Sequence, residues 1–195
     1  MDNLLIFKRP TALLTAFLFM LMLLSSCSSE PHNAKDFTLQ SVLGPVSLHD
    51  FKGKTVLLFF GYTHCPDICP ATMNNVAMAL KSLGSLSDQI QVLFVTVDPD
   101  RDTAEHLAKY VAFFHPSIIG LTGTSDQIKQ TTAAYDAEFF KQGGDAETGR
   151  YEVIHTSMLF MINSEGELLD IMSHHTAPDD IAIALRKWLN SDVAH

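Results

Sequence analysis

Cys65 and Cys69 stand four positions apart in residues 62–70, YTHCPDICP, just past an apolar run over 56–60 and just before a helical apolar pattern that begins at Met73. Two thiols at that spacing, where a strand gives way to a helix, form a thiolate site, and a thiolate is both nucleophile and metal ligand. Pro70 suits the first helical position, where its missing N–H costs nothing, which would make Cys69 the helix cap. Backbone N–H groups and the helix dipole favour negative charge there, so a lowered Cys69 thiol pKa is expected. On these residues alone, metal binding and disulfide chemistry are both open.

The third cysteine belongs to a different feature. Lys8 and Arg9 precede an apolar run over 11–24, short for a membrane span and right for the h-region of an export signal. It ends Leu24-Ser25-Ser26-Cys27, which is similar to the bacterial lipoprotein cleavage pattern, in which the cysteine is diacylated and becomes the new N-terminus. The expected organisation is a signal peptide over 1–26, a lipidated tether over 27–34 and one domain over 35–195, on the exported face of a membrane, with attachment whether or not the leader is removed. Losing Lys8, Arg9 and Asp2 changes 13 basic and 22 acidic residues to 11 and 21, a formal charge of −10 that argues against a nucleic-acid partner. Unpaired thiols in an exported protein are normally oxidised, and a bridge across so short a loop restricts the unfolded chain little. A pair kept for chemistry is therefore the simpler reading than a staple.

The elements that must position the pair follow from periodicity. Weak alternation around Gly44-Pro45 suggests an N-terminal hairpin, and 56–60 reads as a buried strand. Met73, Val76, Ala77, Leu80 and Leu83 recur at helical spacing before Gly84, and 92–97 is a second continuous apolar run. Asp102 with Glu105 looks like a capping box for a helix carrying Leu107, Tyr110, Val111 and Phe114, and Ser125 can cap a third helix. A Gly-rich hairpin or insertion over 139–149, strands over 158–162 and 168–172 joined at Ser164-Glu165-Gly166, and a last helix through Ile181, Leu185 and Leu189 complete the chain. The expected fold is α/β and thioredoxin-like, with the cysteines at the carboxyl end of a parallel strand, where open sheets place their sites. Met73, Met78, Met158, Met161 and Met172 read as core residues, and His174-His175 as exposed.

Three blocks in order, YTHCPDICP, VTVDPDRDT over 95–103 and VIHTSMLFMI over 153–162, make the chain resemble the Sco/SenC family of copper-binding proteins over nearly the whole exported domain. The resemblance implies copper, as Cu(I) or Cu(II), held by Cys65, Cys69 and His155, with His155-Thr156 where thioredoxin folds commonly place a cis-proline. Soft sulfur suits Cu(I) and imidazole nitrogen keeps Cu(II) bound, so the donor set is chemically apt. Asp98 and Arg101 lie in the block the family holds near the site, and Asp98 is read as a group behind the ligands or as a recognition contact. For Arg101 and Asp102, strand-end and helix-cap duties are the favoured reading. Asp67 is expected to shape the cysteine turn, and His64, next to Cys65, to point away. The family often has aspartate before the histidine, where this chain has Ile154.

The resemblance implies a monomeric, membrane-tethered copper metallochaperone that receives metal from a donor protein and assists assembly of the copper subunit of a respiratory oxidase, most simply cytochrome c oxidase. The alternative is a thiol-disulfide reductase that uses Cys65 and Cys69 as a redox pair to keep the oxidase's copper-ligand cysteines reduced. A peroxidase is a weaker third reading, since Thr63 precedes Cys65 by two positions rather than three.

Overall fold

A computed structural model describes residues 34–144 and 150–192; the leader, Cys27 and nearly all of the expected tether lie outside the described residues. The described residues begin with an antiparallel hairpin, β1 (Thr38–Ser41) and β2 (Gly44–Ser47), as the alternation around Gly44-Pro45 suggests. Strand β3 (Thr55–Gly61) leads through the cysteine loop into α1 (Ile68–Leu83), β4 (Ile90–Thr96), α2 (Ala104–Ala112), β5 (Ile118–Leu121) and α3 (Ser125–Ala134). Next come β6 (Phe139–Gln142), β7 (Glu152–His155), β8 (Met158–Ile162), β9 (Leu168–Ser173) and α4 (Pro178–Asp192).

Five strands form the central sheet in the order β5-β4-β3-β8-β9, with β3, β4 and β5 parallel and β8 and β9 antiparallel to their neighbours. All seven residues of β3 and of β4 are buried, so both faces of the sheet are covered, as an uninterrupted apolar run requires. Phe59, Phe60 and Phe94 fill the centre with no exposed surface. This is the thioredoxin-like arrangement, and the cysteine loop leaves β3 at its carboxyl end. Strands β6 and β7 are hydrogen-bonded to each other as a separate two-stranded sheet, the insertion expected before His155.

Three local expectations change. Helix α2 is capped by Thr103, whose side chain accepts from the His106 N–H, and Asp102 is not a cap. Instead Asp102 is fully buried: it accepts from the Thr63 N–H at 3.0 Å, the Thr63 hydroxyl at 2.5 Å and the Thr96 hydroxyl at 2.7 Å. Either residue could have capped the helix. The donors converging from the ends of β3 and β4 claim Asp102 and leave the cap to its neighbour. Helix α3 likewise begins one residue earlier than Ser125 suggests, with a Thr124–Gln127 capping box. Met73, Met161 and Met172 are core residues, whereas Met78, on the outer side of α1, is 52% exposed and Met158, where β8 begins, is 37% exposed.

Removing the Asp102 carboxylate takes the acceptor from the part-buried Thr63 N–H and hydroxyl and leaves the fully buried Thr96 hydroxyl without one. Asp102→Ala should cost about 2–4 kcal/mol, against about 1 kcal/mol for the cap change Thr103→Ala, when both are compared by denaturant unfolding.

Candidate metal centre

The cysteine loop is pinned before it turns. Thr63 is fixed by Asp102, and the Cys65 N–H bonds back to the Tyr62 carbonyl at 3.3 Å. Helix α1 then starts at Ile68, with Asp67 at the cap position and Cys69 as the second helical residue. Cys69 is therefore inside the first turn and does not cap it. Pro70, third in the helix, still has no N–H to lose to an intrahelical bond. Asp67 shapes the turn through its backbone, accepting from the Ala71 N–H at 3.1 Å, while its side chain makes no cap bond.

His155 ends β7, opposite Phe139 in the hairpin. Its ring brings a nitrogen to the two sulfurs: Cys65, Cys69 and His155 each offer one ligand atom, and these lie within 4.8 Å of one another. Nε2 is 3.6 Å from the Cys69 sulfur. On the other side of the ring, Nδ1 is 3.1 Å from the Thr156 carbonyl oxygen, so the tautomer with its proton on Nδ1 is bonded there and leaves Nε2 able to ligate a metal. The edges of Phe59 and Tyr62 hold the ring, with centroids 6.3 and 5.8 Å away. Cys65 and His155 border a cleft of about 250 Å³ whose apolar walls include Ile68 and Ile154, with Cys69 buried behind them.

The thiols are unequal, opposite to the expectation from helix position. Cys65 is half-buried and Cys69 buried, and both are free. The Cys69 S–H donates to the Cys65 sulfur, and that bond is the largest cause holding the Cys65 thiol down, to about 3. Burial opposes it; His155 and the N–H groups of Cys69 and Asp67 add to it. Cys69 moves the other way, well above the ordinary thiol range, because its proton is held by Cys65, it is buried, and a second negative charge would sit beside the first. The helix end thus serves the sulfur outside the helix.

Gly61 explains how Cys69 fits. A Cβ at Gly61 would lie 2.9 Å from the Cys69 sulfur, 2.8 Å from a Phe59 ring atom and 2.9 Å from a Phe94 ring atom, so no other residue leaves that sulfur where it is. The sequence reading passed over Gly61, although a glycine closing an otherwise bulky strand is a signal of close approach.

Asp98 is fully buried, which excludes a direct recognition contact. Its carboxylate accepts from Arg101 Nε and, at 2.6 Å, from the Tyr151 hydroxyl; among the described residues it makes no hydrogen bond to Cys65, Cys69 or His155. The Arg101 guanidinium lies 3.7 Å from the Tyr151 ring centroid and donates to the Tyr151 carbonyl at 3.2 Å. Burial first, and then the bond to Asp98, raises the Tyr151 phenol above its ordinary value.

The remaining histidines are apart from the trio. His64 turns toward His106 and Asp102, its Nδ1 3.8 Å from an Asp102 oxygen. His175 is exposed as expected, while His174 is half-buried and its Nδ1 donates to the Ser157 carbonyl at 3.2 Å. Ile154, opposite Phe140 in the hairpin, is 41% exposed and stands at the rim of the cleft. An aspartate there would stand at that rim, and the His155 ring keeps its Thr156 partner whichever residue precedes it.

A family model described as SCO1/SenC matches residues 26–190. The mitochondrial SCO2 homolog of Bos taurus is 36% identical over 157 residues, 79% of this chain; the chain spans only 59% of that protein's length. The crystal structure of yeast Sco1 with copper bound is similar at a TM-score of 0.76 and 29% identity, over 83% of this chain and 90% of that one. So is BsSco, a protein with a disulfide switch and a member of the Sco family of cytochrome c oxidase assembly proteins, at a TM-score of 0.63 and 25% identity, over 80% of this chain and 93% of that one.

In the reduced, metal-free chain, iodoacetamide should modify Cys65 at a nearly constant rate between about pH 5 and pH 8, because a lowered thiol is already thiolate across that window, and should spare Cys69. Peptide mass mapping reads both. Gly61→Ala should displace the Cys69 sulfur, expose it to the reagent and cost about 1–3 kcal/mol in denaturant unfolding.

Proposed function

The chain belongs to the SCO1/SenC family, and from that premise we propose that it is a membrane-tethered copper metallochaperone whose cargo is held by Cys65, Cys69 and His155. One observation carries the reading: two sulfurs and one imidazole nitrogen lie within 4.8 Å of one another. Thiolate and imidazole donors fit copper in both oxidation states and fit Mg²⁺ or Ca²⁺ poorly, since those ions take oxygen. Three ligands leave a coordination position for a group from the receiving protein. By analogy with BsSco, the recipient is the copper subunit of a respiratory oxidase. Cys27 carries the lipid that keeps the domain on the exported face of the membrane, and the chaperone acts as a monomer.

Copper binding requires both sulfurs as thiolates. Cys65 already is one, whereas Cys69 keeps its proton, so each copper bound should release one proton from the cysteine pair rather than two. The sign follows: affinity rises with pH, about tenfold per unit across neutrality for this single proton. Anaerobic titration of the reduced chain with Cu(I) and with Cu(II) should give a 1:1 complex, the Cu(II) form with sulfur-to-copper charge transfer. Cys65→Ser, Cys69→Ser and His155→Ala should each abolish tight binding; undiminished affinity in His155→Ala overturns the three-ligand reading.

A second reading, thiol-disulfide reduction, is favoured by the inequality of the two sulfurs. The Cys65 thiolate would attack a substrate disulfide, release one thiolate and form a mixed disulfide. Cys69, giving up its proton, would attack the Cys65 sulfur and release the second thiolate, two electrons having passed to the substrate. Reductase activity should survive His155→Ala and vanish in either cysteine variant, whereas copper uptake should require all three residues.

A further inference from the structure

The third ligand stands on the part of the fold that the central sheet does not hold. Among the described residues β6 and β7 pair with each other and not with the central sheet, so no strand ladder from β3, which delivers the cysteines, sets the register of His155. Along β7 the side chains alternate: Glu152 and Ile154 face outward, while Tyr151, Val153 and His155 share the inner side. Val153 and Phe139 pack that side against the core, but apolar contact is non-directional and sets no register.

The Val153 N–H donates to the Tyr62 hydroxyl at a long 3.5 Å, and the shorter directional bonds are concentrated at Tyr151. Its hydroxyl donates to Asp98 at 2.6 Å, its carbonyl accepts from Arg101, and its ring lies under the guanidinium at 3.7 Å and near the Lys141 ammonium at 4.6 Å. Lys141 is bonded in turn to Asp100 at 2.6 Å, so both strands of the hairpin are tied to one loop after β4. Asp98 has no exposed surface and holds Arg101 through its other oxygen, which makes the anchor rigid. Tyr151 and His155 are four residue steps apart, about 13 Å along a strand. A tilt allowed at one end becomes a displacement at the other.

We propose that Tyr151 is the positioning residue for His155: clamped by Asp98 and Arg101, it fixes the hairpin so that Nε2 meets the two sulfurs. The motif over 98–101 then serves the histidine ligand, through Tyr151. The inference rests on the reading of Cys65, Cys69 and His155 as a metal trio.

Two measurements on the full chain test it. In metal-free protein, amide hydrogen exchange over 152–155 should quicken about tenfold in Tyr151→Phe, which keeps the ring and loses the hydroxyl bond, and further in Tyr151→Leu, with β3 and β4 unchanged. Unchanged exchange over 152–155 in both variants overturns the proposal. In a double-substitution cycle read by copper affinity, Tyr151→Leu should weaken binding about tenfold in the natural chain and have no effect in His155→Ala, because a residue that acts through His155 has nothing to act on once it is gone. An equal loss in both backgrounds marks Tyr151 as merely structural and overturns the proposal. If the natural chain takes up no copper, the metal reading fails, while the exchange measurement still decides whether Tyr151 positions the hairpin.

Discussion

The hydrogen bonds converging on the buried carboxylate of Asp102 are what the site rests on. The adjacent parallel strands β3 and β4 end beside each other, and the loops that leave them have no ladder to follow. Asp102 supplies the missing partners: it takes the N–H and hydroxyl of Thr63 from one loop and the hydroxyl of Thr96 from the other strand. A buried anion is stable only when its acceptor capacity is filled. That requirement works in reverse as a constraint on the chain, because Thr63 has one place to be, and Cys65 follows two residues later.

The two halves of the centre are held by different physics. Cys69 is set by packing: it occupies the space left by the absent side chain of Gly61, against the rings of Phe59 and Phe94 in the middle of the core. Its position is as firm as the sheet. His155 is set on a peripheral hairpin, its Nδ1 beside the Thr156 carbonyl and its ring against the edges of Phe59 and Tyr62. Core packing resists displacement in every direction, whereas a strand held at a few points moves as a lever.

Much of this was legible in the sequence, for identifiable reasons. The continuous apolar runs of β3 and β4 signal a buried parallel sheet, and the strand–CxxxC–helix order places the thiols at its carboxyl end, so the fold and the pair follow from periodicity. His155 was reached through its motif, because 86 positions separate it from Cys69 and no local pattern bridges that distance. The thiol that is lowered was misassigned: proximity to a helix end suggested Cys69, but a proton shared between two sulfurs goes to the buried one, and burial is a tertiary property. Asp102 and Thr103 are both competent caps, and only the donors from Thr63 and Thr96 separate them. Tyr151 carried no signal at all, since its partner Asp98 lies 53 positions away.

The difference in depth between the sulfurs has one more consequence. Cys69 has no exposed surface, while Cys65 and His155 border the cleft. Whatever the trio holds can therefore be approached from one side only. An incoming group would meet the outer sulfur and the imidazole first, and Cys69 last. A guest held by that geometry would be open to exchange at one face and closed at the other.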